Sequence, residues 1–256
     1  MSKLNIHQYP YMSDNYGVLL HSPETGETTC IDSGDAAATL TALSETGWSL
    51  TDIWVTHHHA DHTDGVMELK NATGAKVTGP APLSSPIAGV DNALNDGDTF
   101  TFAGLGVRAI HTPGHTKDMI NFYIEDEKLV FTGDTLFTLG CGRLFECDAA
   151  TMHNSLAKLV ALPDDTQVYS SHEYTLANAK FALSVDPDNS ALQARFKTIE
   201  TLRADGQATV PSSLHEELAT NPFLRASDAG IRANLNMKEA TDEAVFAEIR
   251  RRKDNF

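Results

Sequence analysis

The sequence predicts an α/β body followed by a smaller all-helical C-terminal unit, with the boundary near residue 172. Three observations carry this. Short apolar runs of strand length, separated by turn residues, recur from Tyr16 to Tyr169. A few helical stretches interrupt them. After His172, four stretches show helical spacing and strand-like runs nearly vanish. The 256 residues suffice for one large domain, or a medium domain plus a small one.

Taken in order, Tyr16 to Leu20 and Thr28 to Ile31 read as strands, split by the turn composition Ser22-Pro23-Glu24-Thr25-Gly26. Ile31-Asp32-Ser33-Gly34 closes a strand with a carboxylate and a tight turn. Ala36 to Ser44 has helical propensity, and Gly47 is the expected stop. Ile53-Trp54-Val55 reads as a buried strand. Thr63 or Asp64 is expected to cap a helix through Val66 to Lys70. Residues 79–97 are rich in Pro, Gly, Ser and Asn and read as a long loop. Strands are expected at Thr99 to Phe102, Val107 to Ile110, Ile120 to Ile124 and Leu129 to Phe131. Asp148 begins an amphipathic helix with Met152, Leu156, Leu159 and Val160 on one face. Thr166 to Tyr169 is the last expected strand. Helices follow over Thr175 to Val185, Asn189 to Ala204, Ser212 to Ala219 and Thr241 to Arg252.

The stretch Thr56-His57-His58-His59-Ala60-Asp61-His62 packs four histidines and one aspartate into seven residues, straight after an apolar strand. Side chains two apart on an extended backbone point the same way, so His57 and His59 can reach one metal together. Asp61 and His62 lie beyond, where the chain turns, and face a second point. A lone histidine would be read as a surface residue; this density is read as a metal motif. Imidazole and carboxylate donors suit Zn, Fe or Mn.

Three more metal-capable residues each lie just past an expected strand: His115 in Thr112-Pro113-Gly114-His115-Thr116, Asp134 in Phe131-Thr132-Gly133-Asp134-Thr135, and His172 in Tyr169-Ser170-Ser171-His172-Glu173. Each alone has a plain explanation as a turn, cap or surface residue. Four strand ends carrying such residues can converge on one sheet edge. Six or seven donors exceed one tetrahedral zinc. Two metals sharing a carboxylate and a hydroxide accommodate them, and imply hydrolysis.

Composition narrows the partners. Lys plus Arg less Asp plus Glu is 19 − 35 = −16, with a pI near 4.9. Nucleic acid and anionic membranes are disfavoured by repulsion. The start, Met1-Ser2-Lys3-Leu4-Asn5, has no basic region followed by an apolar stretch, and no apolar run approaches the ~20 residues of a membrane helix. Cys30, Cys141 and Cys147 form no C-x-x-C pair, which favours a reducing cytoplasm. Cys141 reads as a small buried residue rather than a reactive thiol.

The order Thr56-His57-His58-His59-Ala60-Asp61-His62, His115, Asp134, His172 resembles the metallo-β-lactamase superfamily. Thr132-Gly133-Asp134-Thr135-Leu136-Phe137, Gly140-Cys141-Gly142-Arg143, His172-Glu173-Tyr174-Thr175, Asn221-Pro222-Phe223-Leu224-Arg225 and Lys253-Asp254-Asn255-Phe256 are similar to the glyoxalase II family, the hydroxyacylglutathione hydrolases. The similarity runs over essentially the whole chain. It implies an αββα sandwich over residues 1–172 and a helical glutathione-binding domain over 173–256. It implies hydrolysis of S-D-lactoylglutathione to D-lactate and glutathione, in methylglyoxal detoxification; a monomer is the separate expectation for the assembly.

The resemblance also implies roles. His57, His59 and His115 hold a first metal; Asp61, His62 and His172 hold a second; Asp134 bridges both with a hydroxide. Asp61 and Asp134 are thus the catalytic carboxylates, and the cofactor is two divalent ions, zinc first, with iron or manganese suited to the same donors. Arg143 and Tyr174 match glutathione contacts, and Arg250 and Lys253 match contacts to its glycine carboxylate. His58 and His111 are expected to be structural. Phe145 departs from members with tyrosine there, and Ser171 replaces a frequent glycine. A cysteine thiolate, with a free pKa of about 8.5, leaves without a strong general acid. Other readings are a lactonase, β-lactamase or nuclease of the same superfamily, a redox di-iron protein, or a non-catalytic metal-binding protein. The charge disfavours a nuclease. His59 stands where a di-iron protein would usually carry an acid.

Overall fold

The computed structural model describes residues 3–81 and 86–256. The chain forms two compact units, one of residues 1–111 and 116–133, the other of residues 112–115 and 134–256.

The first unit opens with β1 (Asn5–Tyr11), β2 (Asn15–His21) and β3 (Thr28–Ile31), which run antiparallel. Helix α1 (Ala36–Thr46) follows. Asp35 caps its start by accepting from the Ala38 amide, and Gly47 ends it at φ 72°. Then come β4 (Asp52–Trp54), the short turn α2 (Ala60–Thr63), α3 (Val66–Thr73), β5 (Lys76–Pro80) and β6 (Asn92–Leu94). Strands β3, β4, β5 and β6 are parallel, so the first sheet reads β1-β2-β3-β4-β5-β6. Next come β7 (Thr99–Phe102), β8 (Leu105–His111), β9 (Ile120–Ile124) and β10 (Leu129–Gly133), an antiparallel run. The first sheet meets this run through Trp54, whose ring lies 5.1–5.2 Å from those of Phe100, Phe102 and Phe122. On its other side, Leu43 of α1 and Val66 and Leu69 of α3 join a core with Leu19, Ile53 and Val77.

The second unit contains the hairpin β11 (Leu136–Phe137) and β12 (Gly140–Cys141), helix α4 (Ala149–Val160), and the pair β13 (Gln167–Ser170) and β14 (Ser212–Ser213). Its helices are α5 (Thr175–Val185), α6 (Ser190–Ala204), α7 (Leu214–Thr220), α8 (Ala229–Leu235) and α9 (Asp242–Asp254). Side chains fix most starts: Asp148 caps α4, Asn189 caps α6, Ser213 with Glu216 forms a capping box at α7, and Thr241 caps α9. Val160 is exposed, off the apolar face that Met152, Leu156 and Leu159 bury.

Several expectations need correction. Strand β1 was not apparent because Pro10 interrupts a polar run; as an edge strand it tolerates a residue without an amide donor. Neither Thr63 nor Asp64 caps α3. Its N-cap is Gly65, packed so tightly that a Cβ there would lie 2.5 Å from the Ala36 amide nitrogen. The loop expected over 79–97 holds the end of β5 and all of β6, while residues 82–85 of it lie outside the described part. Helix α8 was also missed.

Candidate metal centre

In the first unit, the chain leaves β4 and enters the histidine loop under the control of one buried carboxylate. Asp32, 1% exposed, accepts from the Thr56 amide at 2.8 Å and from the Thr56 hydroxyl at 2.9 Å. Because that hydroxyl donates to Asp32, it accepts the Nδ1–H of His57, at 3.0 Å. Asp32 also accepts the Nδ1–H of His62, at 2.9 Å. Both rings are thereby held in the tautomer that leaves an Nε2 lone pair free to bind a cation.

Those lone pairs face other donors. His57 Nε2 lies 3.1 Å from His59 Nδ1. His62 Nε2 lies 3.3 Å from Asp61 Oδ2. Asp61 is steadied by Asn15 Nδ2, which donates to its carboxylate at 3.0 Å, and by the Tyr11 hydroxyl, which donates to its carbonyl at 2.8 Å. Gly34 lets the Asp61 backbone approach; a Cβ on it would sit 2.1 Å from the Asp61 carbonyl oxygen. His58 points elsewhere, its Nδ1 against buried Asp118 at 2.9 Å. His111 is taken up by its own turn, with Nε2 2.7 Å from the Lys117 carbonyl.

The second unit supplies His115, Asp134 and His172. His115 donates from Nδ1 to the Arg143 carbonyl at 2.9 Å. Its Nε2 lies 3.3 Å from Asp134 Oδ2, and His172 Nε2 lies 3.3 Å from Asp134 Oδ1. One carboxylate thus turns an oxygen to each of two imidazoles. With the Nδ1–H of His115 committed, its neutral ring sets a lone pair against a carboxylate oxygen. Two electron-pair donors at such range call for a cation between them, and N/O donors of this kind fit Zn, Fe or Mn. Glu173, next to His172, is tied down by the Thr209 amide and hydroxyl at 2.9 and 2.7 Å.

Aromatic rings and cations flank these donors. Tyr174 stacks on His172 at 4.7 Å, Phe137 meets both edge-on, and exposed Phe145 lies 5.1 Å from His115. Arg143 is exposed. Lys253 donates to the Ala177 carbonyl at 3.2 Å; burial, then the charges of Arg250 and Arg143, push its ammonium down to about 8. Two guanidinium charges near enough to lower the Lys253 ammonium form with it a cationic site that an anion would relieve. Arg250 is the deepest: 4% exposed, it donates to the Cys141 carbonyl at 3.0 Å and to Asp254 at 2.7 Å. Burial raises the Cys141 thiol to about 11 despite Arg250 beside it, which makes it a packing residue and no nucleophile.

The sequence reading missed Asp32 as the residue that orients two of the histidines. The available signal was its position: like Asp134, it is a carboxylate directly after a strand.

Two family models match the chain. Residues 16–172 match the metallo-beta-lactamase superfamily, and residues 173–256 match the hydroxyacylglutathione hydrolase C-terminus. The chain is 54% identical over 254 residues to a Brucella anthropi protein named hydroxyacylglutathione hydrolase, covering 99% of this chain and 98% of that one. It is also 54% identical to a Brucella ovis protein of the same name, covering 99% of each. Among solved structures, ETHE1 from Myxococcus xanthus is similar with a TM-score of 0.67 at 24% identity, over 97% of this chain and 98% of that one. The BLEG-1 B3 metallo-beta-lactamase is similar with a TM-score of 0.65 at 21% identity, over 86% of this chain and 99% of that one. These two likenesses concern the fold.

Proposed function

Because the chain belongs to the hydroxyacylglutathione hydrolase family of the metallo-beta-lactamase superfamily, we propose that it hydrolyses the thioester of S-D-lactoylglutathione, giving D-lactate and glutathione in methylglyoxal detoxification. The observation that carries a hydrolytic metal centre is the placement of Asp134, one oxygen toward His115 and the other toward His172, each at 3.3 Å.

In this reading the donors are assigned to two ions by the family resemblance. His57, His59 and His115 would hold one ion, Asp61, His62 and His172 the other, and Asp134 would serve both; zinc is the proposed occupant. When bound, two such ions would supply Lewis acidity toward the thioester carbonyl and a water of lowered pKa. The protein's own part is orientation. Asp32 and the Arg143 carbonyl fix imidazole tautomers, and Asn15 holds the Asp61 carboxylate. Arg143, Lys253 and Arg250 offer cations to the anionic glutathione moiety, Arg250 from a mostly buried position, and Tyr174 offers a ring and hydroxyl. With Phe145 where some family members have tyrosine, one hydroxyl contact to the ligand is missing or replaced, which bears on affinity and not on the reaction. The α/β body over 1–172 and the helical part over 173–256 are the proposed functional domains.

Free cysteines throughout support a reducing compartment, and the cytoplasm is the proposed location. Among the described residues no helix is long and apolar enough to cross a membrane. A monomer is proposed.

The test is turnover of S-D-lactoylglutathione beside a simple alkyl thioester, a lactone and a β-lactam. Preference for the glutathione thioester supports the reading. Turnover of the lactone or β-lactam in its place would assign the chain a different reaction on the same fold.

A further inference from the structure

The hairpin β11–β12 is held by side chains at five of its backbone groups. Asn221 Nδ2 donates to the Phe137 carbonyl at 3.2 Å and the Gly140 carbonyl at 3.0 Å. Asn178 donates to the Thr138 carbonyl at 3.1 Å, and Arg250 to that of Cys141 at 3.0 Å. Leu139, buried at the tip with φ 58°, donates its amide to Glu217 at 2.8 Å. Non-glycine residues adopt that conformation only when the surroundings impose it. Glu217 is fully buried and also receives Arg195 at 2.6 Å and Asn221 at 3.0 Å.

A buried ion pair is a costly way to stabilise a fold, and apolar residues of like volume would serve at least as well. What it provides is position. The hairpin begins two residues after Asp134 and ends two before Arg143. Between them Gly142 donates to the Thr135 carbonyl at 3.1 Å and lies so close to Asp134 that a Cβ would be 2.0 Å from its carbonyl oxygen. Arg143 then presents its carbonyl to His115 and its side chain outward.

We propose that Glu217 and Asn221 are positioning residues for the reaction: by fixing this hairpin they set the His115 imidazole and the Arg143 guanidinium together, so that metal affinity and affinity for the glutathione moiety depend on each other. This rests on the reading of His115 as a metal ligand and Arg143 as a glutathione contact. Metal on His115 locks the Arg143 backbone; a ligand on the Arg143 side chain steadies the carbonyl that orients His115. Such linkage is reciprocal.

The experiment uses S-methylglutathione, which has no free thiol to bind zinc. It is titrated calorimetrically into zinc-loaded and zinc-stripped protein, and zinc affinity is measured by chelator competition with and without it. In the parent protein zinc should tighten S-methylglutathione binding about tenfold, and S-methylglutathione should tighten zinc by the same factor. In Asn221→Ser and Glu217→Gln, with thermal midpoint and circular dichroism checked, the factor should fall below about twofold. A folded variant that keeps the full factor overturns the proposal. So does a parent protein that binds S-methylglutathione equally with and without zinc, a result that needs no variant. Arg143→Ala tests the underlying reading separately: unchanged S-methylglutathione affinity in that zinc-loaded variant would remove Arg143 as a contact.

Discussion

Asp32 receives the Nδ1–H of His62 on the same oxygen that takes the Thr56 hydroxyl, and that hydroxyl in turn takes the Nδ1–H of His57. One buried carboxylate therefore orients a ligand imidazole proposed for each of the two ions. Asp32→Ala should weaken both sites, by roughly 10–100-fold in affinity, the usual effect of losing such a partner. Chelator competition measures it; two ions bound with parental affinity would show that the tautomers are set by something else.

Asp134→Ala should lose both metals and activity together, because the carboxylate faces both His115 and His172. Elemental analysis of the purified variant, paired with turnover, decides this. Two ions retained with full turnover would sink the bridging assignment.

His58 and His57 are neighbours with different duties. His58 is engaged by Asp118, so His58→Gln should keep both metals and a substantial part of the activity. His57→Gln should lose metal. Equal metal loss in the two variants would mean that the ligands are wrongly assigned.

The Lys253 ammonium, pushed down to about 8, gives a pH signature. Below pH 8 most molecules carry the charge; above it they lose it, and an anionic ligand holds it on. KM for the glutathione thioester should therefore climb as pH passes upward through 8. The kcat should not follow, since a contact remote from the breaking bond binds ground and transition states alike. Lys253→Ala should raise KM severalfold at pH 7, less so in high salt, and flatten the profile. Lys253→Arg should carry the low KM to higher pH. A profile unchanged in both variants would assign the titration to another group.

What the sequence made legible was local. His57, His59, Asp61 and His62 stand within six residues, and His115, Asp134 and His172 each follow a strand run, so spacing alone exposed them. Helices α4, α6 and α9 were legible for the same reason: Asp148, Asn189 and Thr241 mark their starts from adjacent positions. Illegible features were those defined by distant partners. Asp32 acts on residues 24 and 30 positions away. Glu217 meets Leu139 across 78 positions, and Asn221 meets Phe137 across 84. Nothing near Glu217 in the chain distinguishes it from an ordinary helix glutamate, and the motif that begins at Asn221 marks the family without revealing the hairpin it holds. Arg250, matched by resemblance to a glycine-carboxylate contact, has its burial set by distant partners too: it packs on Phe223 and donates to the Cys141 carbonyl.

Pro10 in β1 has a further consequence. The outer rim of a sheet is a template on which a second chain can add a strand, and concentrated proteins aggregate by that route. An exposed proline in the rim strand removes a donor from any such ladder and adds a ring beside it. Pro10→Val should leave the internal sheet intact while making the protein more prone to self-association on concentration or mild heating, which light scattering would register.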